Sequence, residues 1–148
     1  MINSMRVMEN IKTYLESNTF FSQFDILMTN EFYDNNDLGY GKFIIVSVSS
    51  ISVVDTRKRN DRQIRSYNIN IVPFFSNGLT VVDGTDEYYS IEGIYLIADK
   101  LLEAFNNKYF DNSKIERIEI AEVPKIGDND DVFSLSANVV YTELKPFT

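Results

Sequence analysis

The stretch Lys42-Phe-Ile-Ile-Val-Ser-Val-Ser-Ser-Ile-Ser-Val-Val54, with Arg65-Ser-Tyr-Asn-Ile-Asn-Ile-Val-Pro-Phe-Phe75 after it, decides the fold. Both runs are dominated by β-branched, aromatic and Ser residues, the composition of strands. Asp55-Thr-Arg-Lys-Arg-Asn-Asp-Arg-Gln-Ile-Arg65 joins them and reads as a basic turn. Lys42–Phe75 is therefore a long β-hairpin with a cationic tip. In its first strand, strict alternation puts Phe43, Ile45, Ser47, Ser49, Ile51 and Val53 on one face. Ile44, Val46, Val48, Ser50, Ser52 and Val54 fall on the other. Neither face is polar throughout, so the strand is central or is covered by a neighbouring subunit. In the second strand, Tyr67, Ile69, Ile71 and Pro73 share one face and Ser66, Asn68, Asn70 and Val72 a wetter one. Pro73 lacks an N–H, which places a strand end or an edge there.

Outward from the hairpin, Ser4–Ser17 has a helical period in Met5, Met8, Ile11, Tyr14 and Leu15, with Ser4 as N-cap. Phe20–Met28 reads as an apolar loop and a strand. Thr29–Gly41 is rich in Asn, Asp and Gly and reads as a loop with an extended piece at Glu31–Tyr33. Its acidic residues lack the spacing of a calcium loop. Ser76–Gly78 is a turn, Leu79–Val82 a brief strand, and Asp83–Asp86 a second turn ending in a helix N-cap at Thr85 or Asp86. Tyr88–Asn107 is the second main helix. Its apolar positions are Ile91, Ile94, Tyr95, Ala98, Leu101, Leu102 and Phe105. Gly93 inside it costs about 1 kcal/mol relative to Ala, so a strand is expected to pass close by. Lys114–Val123 alternates imperfectly, and Val132–Leu144 is a final strand with Phe133, Leu135, Ala137, Val139 and Tyr141 on one side. The fold class is α+β: a single domain, residues 1–148, with a mixed or antiparallel sheet, a long projecting hairpin and two main helices on one face.

Composition narrows function mainly by exclusion. The 148 residues carry 22 acidic and 14 basic side chains, a net charge of −8. Such a chain repels phosphate as a whole, against a general nucleic-acid binder. It has no Cys and no His. Thiolate chemistry, thiolate metal sites and the commonest general base and zinc ligand are absent. No Gly-rich phosphate loop or Ser-x-x-Lys start occurs, and the adjacent carboxylates Asp86/Glu87 and Asp130/Asp131 suit solvated loops. The expectation is no enzyme, no cofactor and no metal. No apolar run is long enough for a bilayer, so no membrane partner is expected.

The sharpest local feature is the tip, where Arg57, Lys58, Arg59, Arg62 and Arg65 hold five of the fourteen basic residues. It can be a solvated tip that blocks edge aggregation, a phosphate contact, or an arm that meets an acidic surface on a neighbouring subunit. No aromatic residue is interleaved for base stacking. The hairpin is long for one domain of this size, and strands that outrun their core are commonly completed by another chain. Arg57, Lys58, Arg59, Arg62, Arg65 and Tyr67 are accordingly the expected subunit-interface residues.

The order of elements resembles that of the tail-terminator, or tail-completion, proteins of long-tailed bacteriophages: an N-terminal helix, the Lys42–Phe75 hairpin, the Tyr88–Asn107 helix and a closing pair of strands at Ile115–Val123 and Val132–Leu144. Arg65-Ser-Tyr-Asn-Ile-Asn-Ile is similar to the family's second hairpin strand and Val132–Thr142 to its final one. The resemblance implies a late structural protein of the virion, made in the host cytoplasm. It would form a homo-oligomeric ring, a hexamer, that caps the tail-tube protein and meets the head-closure or connector protein. DNA would pass the lumen without specific binding. Six chains at −8 carry about −48, which suits a lumen that does not hold DNA. Another neck or tail-tube component, a small soluble binding or adaptor domain, and an enzyme using carboxylates alone are the alternatives.

Overall fold

The computed structural model describes residues 2–34, 38–57, 62–122 and 131–147. Nine strands and three α-helices follow one another as α1 (Asn3–Glu16), a 3-10 turn (Phe21–Gln23), β1 (Asp25–Met28), α2 (Thr29–Asp34), β2 (Lys42–Arg57), β3 (Arg62–Ser76), β4 (Thr80–Asp83), β5 (Asp86–Tyr89), α3 (Ser90–Phe105), β6 (Tyr109–Phe110), β7 (Ser113–Glu122), β8 (Val132–Ser134) and β9 (Ser136–Glu143). The main sheet runs β1-β2-β3-β9-β7-β6, with β8 also paired to β3, and β4-β5 is a separate small hairpin. Among the described residues only β1–β2 is parallel. The α+β class with a mixed sheet and a long hairpin is thus the observed fold.

The core lies between the sheet and the helices. Val7, Met8, Ile11 and Leu15 of α1 and Ile94, Ile97, Ala98, Leu101 and Phe105 of α3 pack on Ile44, Val46, Tyr67, Ile69, Ile71, Val139 and Tyr141. The two helices also touch each other: the Tyr14 hydroxyl donates to the Ala104 carbonyl, and its ring meets Phe105 edge-on at 5.4 Å.

Gly93 is explained by this packing. A Cβ there would lie 3.1 Å from Phe75 Cζ and 3.1 Å from Val81 Cγ2. The sheet side of α3 is fitted to a glycine.

Several expectations are corrected. The N-cap of α1 is Ile2 rather than Ser4, with no side-chain capping bond. Thr29–Asp34 is a short helix rather than loop and extended chain. Glu31 holds it against α1, since Lys12 Nζ donates at 2.9 Å to Glu31 Oε1, which also accepts the Met28 N–H at 3.0 Å. Asp86 does not cap a helix. Asp86–Tyr89 is β5, turned back on β4 at Gly84 (φ +65°), and α3 begins only at Ser90.

Pro73 neither ends β3 nor lies on an edge. It falls between the rungs to β9, which stop at Ile71, and those to β8, which start at Phe74. Its carbonyl accepts the Leu135 N–H at 3.2 Å where the final strand breaks into β8 and β9. A residue without an N–H is tolerated there because the ladder is already interrupted.

Register shifts explain why alternation misassigns faces. In β7 the register shifts between Ile115 and Arg117. Ile115, Ile118 and Ile120 therefore all pair with the inward Tyr141, Val139 and Ala137, although alternation places them on opposite sides. In β2 shifts fall between Val48 and Ser50 and again between Val53 and Asp55. An extra residue in one strand reverses the facing of everything beyond it.

Candidate functional site: the outer half of the hairpin

The bulge at Ser49 builds the site. Ile44, Val46 and Val48 pair with Pro73, Ile71 and Ile69; beyond the bulge Ile51 and Val53 pair with Tyr67 and Arg65. Ile44, Val46, Val48, Ile51 and Val53 thus form one face continuing the core side, whereas Phe43 and Ile45 lie on the other, opposite Phe74 and Val72. Ser47, Ser50 and Ser52 join Asn70, Asn68 and Ser66 on the other. That second face is a polar lattice: Asn68 Nδ2 donates to Ser50 Oγ at 2.8 Å, and Asn138 Nδ2 to Asn70 Oδ1 at 3.2 Å. Apolar character on both flanks, expected from strict alternation, holds at the base, where Phe43 stacks on Phe74 at 5.3 Å, and is corrected to one apolar flank from Ser47 to Val53.

The inner half of that flank is covered and the outer half is not. Ile44 and Val46 are fully buried, whereas Ile51 is 49% and Val53 51% exposed; Val54, skipped at the second register shift, is 58% exposed. Partner strands stop early on both sides. β1 pairs only with Phe43–Val46 of β2, and β9 only with Ser66–Ile71 of β3. From Ser50 to Arg57 and from Arg62 to Arg65 the two strands have only each other as ladder partners among the described residues, and each presents an open edge.

Of the six expected interface residues, the structure brings some together and removes one. Arg57 and Arg62 are direct cross-strand partners at the last described rung. Lys58 and Arg59 lie outside the described residues. Arg65 sits at the base of the ribbon, its Nε 3.3 Å from Gln63 Oε1. Tyr67 is the correction: it is fully buried, its ring edge-on to Tyr141 at 6.1 Å. A tyrosine facing inward beneath two helices cannot touch a sister chain.

Beneath the ribbon lies a buried polar cluster that the sequence did not announce. Glu143 is only 2% exposed, and its Oε1 accepts the Arg65 backbone N–H at 2.8 Å. Burial pushes its carboxyl above the usual range, partly offset by that N–H and the Arg65 charge. Tyr141 Oη accepts from Asn10 Nδ2 at 2.9 Å and donates to Asn112 Oδ1 at 3.3 Å. The Tyr67 hydroxyl has no hydrogen-bond partner among the described residues. Burial pushes this hydroxyl above its usual range, and the nearby Arg65 guanidinium offsets part of that push. The outer ribbon is anchored at its base by Glu143.

Two other features bear on function. An open hollow of about 610 Å³ lies beside the 3-10 turn, the β4–β5 turn and α3, with Lys100 3.5 Å from Asp83 at its wall. Among the described residues no group of three His, Cys, Asp or Glu could hold a metal ion, and no helix is long and apolar enough to cross a membrane. No family model matches this chain, and no curated protein matches it.

Proposed function

We propose that this chain is a structural subunit that assembles with copies of itself through the outer hairpin, as a ring at the head-proximal end of a bacteriophage tail. The observation that carries this reading is the uncovered apolar flank Ile51 and Val53, with exposed Val54 beside it, on a two-stranded ribbon whose edges are open among the described residues. Free in solution, such a surface is an aggregation hazard. Covered by a sister subunit, it is an interface. The similarity of element order to tail-terminator proteins supports the same reading. In this role the ring stops tube growth, because it fits the last tube subunit and offers the next nothing to add to. It then meets the head connector, and DNA passes through without sequence reading. The chemistry asked of the chain is shape and charge, with no catalytic step, cofactor or metal.

A second reading, a small binding or adaptor domain, has one feature in its favour, the open hollow against α3. Native mass spectrometry with negative-stain imaging separates the two. A closed ring, six-fold for the tail-terminator reading, is expected. A monomer at tens of micromolar protein overturns the assembly reading and leaves the adaptor.

A further inference from the structure

Glu143 stands where the outer hairpin leaves the body of the sheet. The β3–β9 ladder ends at Ser66 and Thr142. One residue further, where the next rung would fall, the Arg65 N–H goes instead to Glu143 Oε1 at 2.8 Å. From Arg65 outward, β3 has only β2 beside it among the described residues. The strand opposite is weakened at the same level. Its register shifts between Val53, the partner of Arg65, and Asp55, the partner of Ile64. A shift disrupts the ladder locally and bends the strand that carries it. With a single side-chain bond on the other side, the Arg65 rung is a hinge line across the ribbon.

The group that makes this bond is poorly placed for a charge. Glu143 is 2% exposed, and it makes no ion pair among the described residues. Ser113 faces it from β7. The hydroxyls of Ser113 and of Tyr67 on β3 have no hydrogen-bond partner among the described residues, so neither helps to hold a carboxylate. Arg65 is the one cation that acts on Glu143, and its Nε turns to Gln63 Oε1 at 3.3 Å. The other titratable neighbours are Tyr67 and Tyr141, whose hydroxyls burial pushes above their usual range. Asn10 of α1 and Asn112, which bond the Tyr141 hydroxyl, are uncharged. A buried carboxylate with one N–H for company is costly, and a neutral carboxyl is far less so.

We propose that Glu143 is a proton-operated clasp on the outer hairpin: protonated, it holds the base of the ribbon to the body, and ionised, it lets the ribbon open at the Arg65 rung so that water reaches the carboxylate. Burial raises the folded-state pKa of this carboxyl, and the Arg65 N–H and charge offset only part of the rise. The hold is therefore full below the unfolded-chain value and fades as pH rises through the folded one. Ile64, one residue beyond the hinge, is 6% exposed, and its burial resists opening while the carboxyl is neutral. The clasp works within one chain, whether or not the hairpin meets another copy.

Amide hydrogen exchange on the full chain, corrected for its intrinsic pH dependence, tests this from about pH 5.5 to about pH 8.5. A carbon NMR titration of the Glu143 carboxyl runs beside it, and native mass spectrometry checks that the assembly state is constant. In the wild type, residues 50–57 and 62–65 are expected to lose protection several-fold, with the same midpoint as the carboxyl. Glu143→Gln accepts the Arg65 N–H without taking a charge, and it should show no such loss. Circular dichroism checks that this variant is folded; if it is not, the agreement of the two wild-type midpoints decides alone. Protection that stays flat while the carboxyl titrates overturns the clasp, and so does an equal loss in Glu143→Gln. A loss spread evenly over β7 and β9 overturns it too, because the proton then follows global stability and not the hairpin. A chain that never assembles overturns the assembly reading and leaves the clasp standing.

Discussion

Replacing Ile51, Val53 and Val54 together by Ser separates the two roles a strand residue can have, holding its own fold and holding a neighbour. Full burial of a Val or Ile side chain is worth about 1.5–3 kcal/mol. These three residues keep 49%, 51% and 58% of their exposure within the chain, so about half of that value remains for a partner to collect. The interface loss is then about 2.4–4.8 kcal/mol for each contact, a weakening of roughly 50- to 3000-fold in the association constant. The monomer loses less, because solvent already reaches these side chains and Ser is tolerated in β-ladders. Sedimentation equilibrium on wild type and triple variant, with thermal unfolding at concentrations where both are monomeric, reads the two quantities separately. The expected result is an assembly midpoint moved up by at least an order of magnitude in concentration. Unchanged assembly of the triple variant would refute the reasoning, since it would mean the exposed flank meets nothing.

Other perturbations address the rest of the molecule. Arg57→Glu with Arg62→Glu should also weaken assembly, and the wild-type contact should weaken with added salt, because a charge pairing between subunits is screened; salt-insensitive assembly would count against it. Gly93→Ala should lower stability by about 1–2 kcal/mol in urea unfolding despite the better helix propensity of Ala, because Phe75 and Val81, both fully buried, have no room to yield 3.1 Å away. Tyr67→Phe should be neutral or stabilising, whereas Tyr141→Phe should cost about 1 kcal/mol, since only the second hydroxyl is hydrogen-bonded. Burial raises the folded-state pKa of Glu143. Its contribution is therefore fully present below the unfolded-chain value and is lost as pH rises through the folded one. Glu143→Gln keeps an acceptor for the Arg65 N–H and should raise the thermal midpoint at pH 7 but not at pH 4. Glu143→Leu strands that N–H and should destabilise at both, by about 1–3 kcal/mol.

The amino-acid order by itself determined the α+β class, the long hairpin, both main helices and the need for a tight contact at Gly93. These follow from local periodicity and from residue types that have one cheap backbone state. Only the tertiary structure decided which face each residue of β2 and β7 presents, because a single extra residue in one strand reverses the facing beyond it. The extra residue is a compromise between twisted neighbours that a linear pattern does not record. Burial was decided the same way: Tyr67 and Tyr95 are the same side chain, yet one lies beneath two helices and the other faces water. The partly uncovered stripe of α3 was legible as apolar and not as uncovered. Exposure depends on where the rest of the chain runs out of surface to lend, and that sum is taken over the whole fold.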